Sequence, residues 1–236
     1  MLLWITLPAA WAATDHAAWD ALLRRHVDAR GRVNYQGLAK DRGELDAYLG
    51  ALASAAAPEG SPADRLAFWI NAYNACVVKG VLDRYPVRSV KEINGFFDKI
   101  RCQVAGAART LNEIEAQGRA LGDWRIHMAV VCASTSCPWL RPEAYVGQAL
   151  EAQLTDAAQQ FLRDPSRGLR IDGGTLWASS IFTWYARDFT PSWRLTPAAL
   201  IAVLSPYLDP AFARAAGAAR PLKFLEYDWT LNAGGP

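Results

Sequence analysis

The stretch from Ser61 to Arg84 constrains this chain most. It opens with a helix-start signature: a capping serine, Pro62 at the first helical position and Asp64 near the positive end. It ends before Pro86, which disfavours helical geometry in the residue preceding it. Between these stops, Leu66, Trp69, Ile70, Tyr73 and Val77 occupy one face, while Phe68, Ala72, Ala75, Val78 and Leu82 occupy the rest. A helix apolar nearly all round must be buried, so the fold has to be wrapped around it. Inside this helix sit Asn71 and Asn74, three positions apart and therefore neighbours on one face. Asparagine is a poor helix former and its buried amide must find partners. The pair is expected either to tie the helix to nearby loop backbone or to act in a catalytic site, one of them orienting a catalytic side chain or lining the pocket. Cys76, in the same helix, reads as a small core residue.

The remaining elements are shorter. Helices are expected at His16–Val27, Leu38–Leu52, Glu143–Arg163, Ser180–Phe189 and Thr196–Leu208, with another beginning at Leu111-Asn112-Glu113-Ile114-Glu115. Within that last helix Glu115 reads as a solvent-facing acid. Short strands are expected at Ile100–Val104 and just after Gly106. A hairpin, Leu169-Arg170-Ile171 with Thr175-Leu176-Trp177, turns through Asp172-Gly173-Gly174. A closing strand is expected from Leu222 to Trp229. The sum is an α+β fold, a helix-rich single domain over residues 14–236 with a small, mostly antiparallel sheet around the buried helix.

Composition excludes more than it assigns. With 52% hydrophobic and 20% charged residues, the 236-residue chain is globular rather than disordered. A net charge of +2, without a basic stripe, argues against nucleic acid as a partner. Residues 1–13 read as a targeting segment: Leu2 to Ala13 is apolar and too short to span a bilayer, and Ala10-Trp11-Ala12 fits a small-x-small cleavage pattern. An exported, periplasmic or secreted protein with no integral membrane segment after that leader is therefore expected, in a compartment that permits disulfides. With three histidines, and no second Cys/His pair at a matching spacing, neither a metal nor another cofactor is expected.

Chemistry concentrates in Arg125–Leu140. Alternation of Ile126, Met128, Val130 and Cys132 with His127, Ala129 and Val131 predicts a buried strand. A polar turn then leads to Cys137-Pro138. Pro138 is expected to open a helical turn, placing Cys137 near unpaired amide hydrogens that favour a thiolate. Three readings follow. In the first, Cys137 is the nucleophile of a hydrolase or acyl transferase acting on an amide or ester of the cell envelope, and His127 is its base. One of Asn71, Asn74, Glu115 or Asp188 orients the imidazole. Backbone N–H groups around Cys137, with Ser134 and Ser136, form an oxyanion site. In the second, a non-catalytic domain binds an envelope peptide, glycan or lipid in a groove lined by Trp139, Trp184-Tyr185 and Phe96-Phe97, and Cys132–Cys137 is a structural disulfide. In the third, Cys132 and Cys137 cycle as a redox pair.

Several stretches together resemble one family, the domain of unknown function 547. They are Gly31-Arg32-Val33-Asn34-Tyr35, Phe68-Trp69-Ile70-Asn71-Ala72-Tyr73-Asn74, Leu111-Asn112-Glu113-Ile114-Glu115, Ile126-His127-Met128-Ala129 with Ser136-Cys137-Pro138, Trp184-Tyr185-Ala186-Arg187-Asp188-Phe189, and Tyr227-Asp228-Trp229-Thr230-Leu231-Asn232. They occur in order along nearly all of the chain after residue 13. The resemblance implies a domain found alone in exported bacterial proteins and joined to other modules in eukaryotes. It implies no substrate, so the chemistry must be argued from the residues.

Overall fold

The computed structural model describes residues 14–55, 58, 60–190, 192 and 194–235. The expected leader, residues 1–13, lies outside the described residues. The first three helices are α1 (Ala17–His26), α2 (Tyr35–Lys40) and α3 (Arg42–Ser54), and they lead to the long helix α4 (Pro62–Leu82). The start of α4 is a reciprocal cap, in which Ser61 accepts from the Asp64 N–H and Asp64 accepts from the Ser61 N–H. Fifteen of its residues are buried, as the all-round apolar pattern requires.

After α4 come a hairpin, β1 (Arg101–Val104) and β2 (Ala107–Thr110), and then α5 (Leu111–Arg119). A second capping box starts α5, formed by Thr110 and Glu113. Gly118 lets α5 lie close to its neighbours, since a Cβ there would collide with Ile126 and press on Trp69. The chain continues through α6 (Leu150–Arg163), the strands β3 (Leu169–Asp172) and β4 (Thr175–Ala178), and four further helices. These are α7 (Ser180–Trp184), α8 (Ala186–Phe189), α9 (Pro197–Leu204) and α10 (Pro210–Ala218), followed by β5 (Leu222–Phe224). Strands β3 and β4 form the expected antiparallel hairpin, and β5 joins β4 in parallel. The fold is thus α+β and helix-rich, with two small sheets.

Three apolar clusters meet at the segment that follows α5, and two of them include residues of α4. The first joins α1, α3, β1 and α5 to one side of α4 through Trp19, Leu45, Phe68, Trp69 and Val77. Another sets Leu66 and Ile70 of α4 against Ile126, Tyr145 and Leu154. The last gathers α6, the three-stranded sheet, α9 and α10 around Phe161, Phe182, Phe189 and Leu200, and reaches Met128. No described helix is long and apolar enough to cross a membrane.

The segment expected to be a central strand is not one. Trp124–Met128 is a 3-10 helix, and residues 129–133 are irregular backbone. The alternation is real, but a strand also needs a neighbour to pair with. Here the backbone bonds instead to a side chain of α4: Asn74 donates Nδ2–H to the Ala129 carbonyl at 3.0 Å and accepts the Val131 N–H at 2.9 Å. Nor does Pro138 open a helix; irregular chain continues to a short 3-10 turn at Gly147–Ala149, so the expected helix from Glu143 begins only at Leu150. Among the other expectations, the tail is a strand only over Leu222–Phe224. Helix α10, formed by Pro210–Ala218 and capped by Asp209, was not expected at all. Cys76 is more than core filling, since it is joined to Cys102 in a disulfide that ties α4 to β1.

Candidate functional site

A cavity of about 290 Å³ opens where α4, α5, the 127–137 segment, α7 and the C-terminal tail converge. His127, Cys132, Cys137, Glu115 and Asn112 contribute polar atoms to its wall, and Tyr73, Phe97, Trp184, Tyr185, Tyr227 and Trp229 contribute rings.

Each reactive group is held by a different element. Asn74 fixes residues 129–131, and so sets the spacing between His127 on the 3-10 turn and Cys132. Asn71 makes a similar two-bond grip on the Tyr145 backbone, donating to its carbonyl at 2.7 Å and accepting its N–H at 3.0 Å. Both amides are thereby occupied by backbone, and neither asparagine lines the cavity. They act as struts of the site. The Cys132–Cys137 loop is pinned by the tail. Thr135 N–H bonds to the Thr230 carbonyl, Ser136 N–H to the Asp228 carbonyl, and Asp228 N–H to Ser136 Oγ at 2.9 Å.

His127 is buried, and its Nε2 lies 2.7 Å from Asp188 Oδ2. Arg119 reaches the same carboxylate with Nε at 2.7 Å and Nη2 at 3.1 Å. Burial alone would raise the Asp188 carboxyl, but hydrogen bonds from Arg119 and His127 hold it below its ordinary value. Burial lowers the imidazole to about 4 despite Asp188, so His127 is neutral at pH 7. An ionised Asp188 can only accept, which places the imidazole proton on Nε2 and the lone pair on Nδ1. Nδ1 has no protein partner among the described residues and is not sealed from solvent. The ring itself is stacked against Tyr185, 4.1 Å between centroids. The geometry is that of an oriented proton acceptor at a cavity wall.

Cys132 and Cys137 are joined as a disulfide, and no cysteine is free among the described residues. A free Cys137 thiolate is therefore absent from this form of the protein. The surroundings of the two sulfurs are nonetheless polar. The backbone N–H of Cys132 points at Cys137 Sγ at 2.9 Å and the Tyr227 hydroxyl at 3.1 Å. Cys132 Sγ is 3.1 Å from both Ser134 Oγ and the Tyr227 hydroxyl. Burial pushes the Tyr227 phenol up to about 12, so it remains a donor at neutral pH. The helix N-terminus expected behind Cys137 does not exist; directed donors stand in its place.

The expected oxyanion donors are also committed elsewhere. Cys137 N–H bonds to the Ser134 carbonyl, Ser134 Oγ donates to the Tyr227 hydroxyl, and Ser136 Oγ accepts from Asp228. Neither serine lines the main cavity. Trp139 lies in a separate depression with Arg30, Arg32 and Arg167, its ring beneath the Arg167 guanidinium at 5.3 Å. Trp184, Tyr185 and Phe97 do line the cavity, whereas Phe96 is core. Trp184 is 49% exposed and packs with Tyr227 and Trp229 at 4.7 and 5.8 Å. Asp188 partners the imidazole rather than lining the wall.

Glu115 reverses its expected role. It is only 6% exposed, it lines the cavity, and its Oε1 has no hydrogen-bond partner. Desolvation raises its carboxyl above the ordinary value, against a hydrogen bond from Tyr185 and the charge of Arg119. The signal was in the sequence: Leu111, Ile114 and Gly118 share the buried stripe of α5 on which Glu115 falls. Arg119 and Tyr227 are the functional neighbours that sequence reasoning missed. They come from α5 and the tail, and no local pattern links them to His127 or Cys137. Among the described residues, no group of three or more His, Cys, Asp or Glu is placed to hold a metal ion.

No curated protein and no solved structure matches the chain. Residues 59–162 match the model of a family described as a protein of unknown function, DUF547. That span holds Asn71, Asn74, Glu115, Arg119, His127, Cys132 and Cys137, while Trp184, Asp188 and Tyr227 lie beyond it. Over residues 59–162, a little under half of its length, the chain is similar to the DUF547 family.

Proposed function

We propose that the cavity is the active site of a thiol-dependent hydrolase or acyl transferase that acts on an amide or ester, and that the Cys132–Cys137 disulfide is its latent state. The observation that carries this reading is the Asp188–His127 pair, which presents an unprotonated Nδ1 at the wall that Cys137 also lines. Two further donors, the Cys132 N–H and the Tyr227 hydroxyl, aim at Cys137 Sγ. Such donors gain most when the sulfur carries a full negative charge.

Opening the disulfide takes a thiol reductant. One thiolate attacks the sulfur of Cys132, which is less buried than Cys137, and Cys137 leaves as a thiolate stabilised by its two donors. A second external thiol releases Cys132 and departs in the reductant's own disulfide. The Cys137 thiolate then forms a C–S bond to the substrate carbonyl carbon, and the C–N or C–O bond breaks. The leaving group takes its proton from Nδ1 of His127, which holds the proton released when the reductant thiol ionised, drawn there by the charge of the new thiolate. Water, giving its proton to Nδ1, cleaves the thioester and restores the thiolate; an acceptor amine in place of water gives transfer. Asp188 holds the ring and offsets the charge it acquires.

An envelope substrate and an exported location fit the two disulfides, because such bonds persist in oxidising compartments. The test is reaction of reduced and unreduced protein with p-nitrophenyl acetate. The reading expects a burst of p-nitrophenol and an acetyl adduct on Cys137 only after reduction, lost in Cys137→Ala and His127→Ala. Equal turnover by Cys137→Ala removes the thiol from the mechanism.

A second reading has one observation in its favour, the disulfide itself in the cavity wall. In that case the Cys132/Cys137 pair exchanges with a substrate disulfide, and His127 serves only to protonate the leaving thiolate. Reduced protein would then reduce a small disulfide stoichiometrically and form no acyl adduct.

A further inference from the structure

We infer that the same cavity holds the primary-ammonium group of its substrate, with Glu115 as the counter-charge and the surrounding rings as the lining. The inference deepens the active-site reading above by naming a substrate class. It rests on that reading only for the assignment of the ligand as a substrate, since the subsite itself does not require the thiol.

The charges around Glu115, with Arg119, Asp188 and His127 counted, sum to one negative charge when the carboxyl is ionised. Arg119 directs Nε and Nη2 to Asp188 and lies over the Tyr185 ring at 4.8 Å, and no hydrogen bond joins it to Glu115. Arg119 and Asp188 therefore cancel, and His127 is neutral at pH 7. What remains is the Glu115 carboxylate, 6% exposed, with Oε1 unbonded. Oε1 is sealed from solvent, and a buried carboxylate is costly unless it is protonated or offset by a cation at the cavity wall, which compensates it best. The Tyr73 and Tyr185 hydroxyls, both held far from ionisation by burial, are the other titratable groups that face it.

The wall selects the kind of donor. Six aromatic rings line the cavity, and ring faces attract cations while accommodating an apolar chain. A volume of about 290 Å³ admits a small amine or the end of a larger one. An anion would meet Glu115 directly, and a neutral polar ligand would leave the carboxylate charge uncompensated. An amine-bearing chain, such as a lysine side chain or a free amino terminus next to the scissile bond, satisfies both features. The same subsite also suits an amine acyl acceptor, which must lose its ammonium proton before attacking the thioester; Nδ1 of His127 is the acceptor for that proton.

The test is calorimetric titration of the full chain in its unreduced form at pH 8. The probes are benzylammonium, its neutral isostere benzyl alcohol, and benzoate. Binding to the disulfide form needs no thiol, so failure of the thiol reading and failure of this subsite are separately visible. The inference predicts that benzylammonium binds at least tenfold more tightly than benzyl alcohol and that benzoate does not bind. It predicts that Glu115→Gln removes this preference with little change for the alcohol. If that variant misfolds, the wild-type protein still decides: benzylammonium affinity should fall as pH drops through the raised Glu115 value, with proton release on binding. Benzyl alcohol binding as tightly as benzylammonium, or a preference that survives in folded Glu115→Gln, overturns the inference.

Discussion

Asp188 Oδ2 and His127 Nε2 lie 2.7 Å apart, although they stand 61 positions apart in the chain. The contact gives a buried imidazole a defined tautomer. The same cavity wall carries a disulfide whose Cys137 sulfur already faces two hydrogen-bond donors. Orientation of the imidazole is thus complete in the disulfide form.

Replacing Asp188 with asparagine should leave the cavity in shape but free the imidazole to adopt the other tautomer. Acylation of reduced Cys137 should fall by about 10²-fold or more, the range of a positioned general base. The measurement is the rate of adduct formation by mass spectrometry, beside a circular dichroism check that the variant is folded. An unchanged rate would show that His127 is not the base.

Removing the Tyr227 hydroxyl tests the donor at Cys137 Sγ. A hydrogen bond to a charged group contributes roughly 1.5–3 kcal/mol, so Tyr227→Phe should raise the Cys137 thiol by about one to two units. The pH dependence of alkylation in reduced protein reads this directly. A profile identical to wild type would assign the 3.1 Å contact no part in thiolate stabilisation.

Stability should fall as pH drops from about 6.5 toward 4. Burial lowers both His127 and His16 from the ordinary 6.5 to about 4. In that window the unfolded chain binds the protons and the folded one does not, so acid favours unfolding. Full stability is present above the unfolded value, and the loss is complete once pH has passed the folded value. For His127 the effect is on the order of 2–3 kcal/mol. Urea midpoints at pH 7 and pH 4.5 for wild type and His127→Gln measure it; equal pH dependence in the two would refute the burial argument.

Asn74→Ala should be among the more damaging substitutions outside the cavity. It strands the Ala129 carbonyl and the Val131 N–H in the interior, at a cost of roughly 2–4 kcal/mol for the two groups. Denaturant titration gives the loss. Because these bonds also place His127 relative to Cys132, any folded Asn74→Ala protein should lose acylation rate as well; full activity would reduce the asparagine to a purely stabilising role.

Much of this arrangement could be read in the residues, and the exceptions share a cause. Ser61, Pro62 and the all-round apolar pattern lead straight to α4, because capping and periodicity act within one element. The Asp-Gly-Gly turn leads to the β3–β4 hairpin for the same reason. His127 and Cys137 stand out as chemistry because both lie in one apolar stretch. Residues 126–132 alternate like a strand, yet whether such a segment pairs with another strand or with the Asn74 side chain depends on what lies beside it. The Cys76–Cys102 bond, the Arg119–Asp188 pair and Tyr227 at Cys137 are contacts between distant segments that no local spacing records. Glu115 is the instructive error: its position on the stripe of Leu111, Ile114 and Gly118 outweighs its charge.

The central claim is that reduction produces a Cys137 thiolate paired with His127. The most direct measurement is alkylation of the gently reduced protein across pH, with each cysteine followed by mass spectrometry, in wild type and His127→Ala. The account predicts that Cys137 reacts rapidly well below roughly pH 8.5, where a free thiol ionises, and that His127→Ala moves its profile up toward that value. A Cys137 that titrates like a free thiol in both proteins would contradict it.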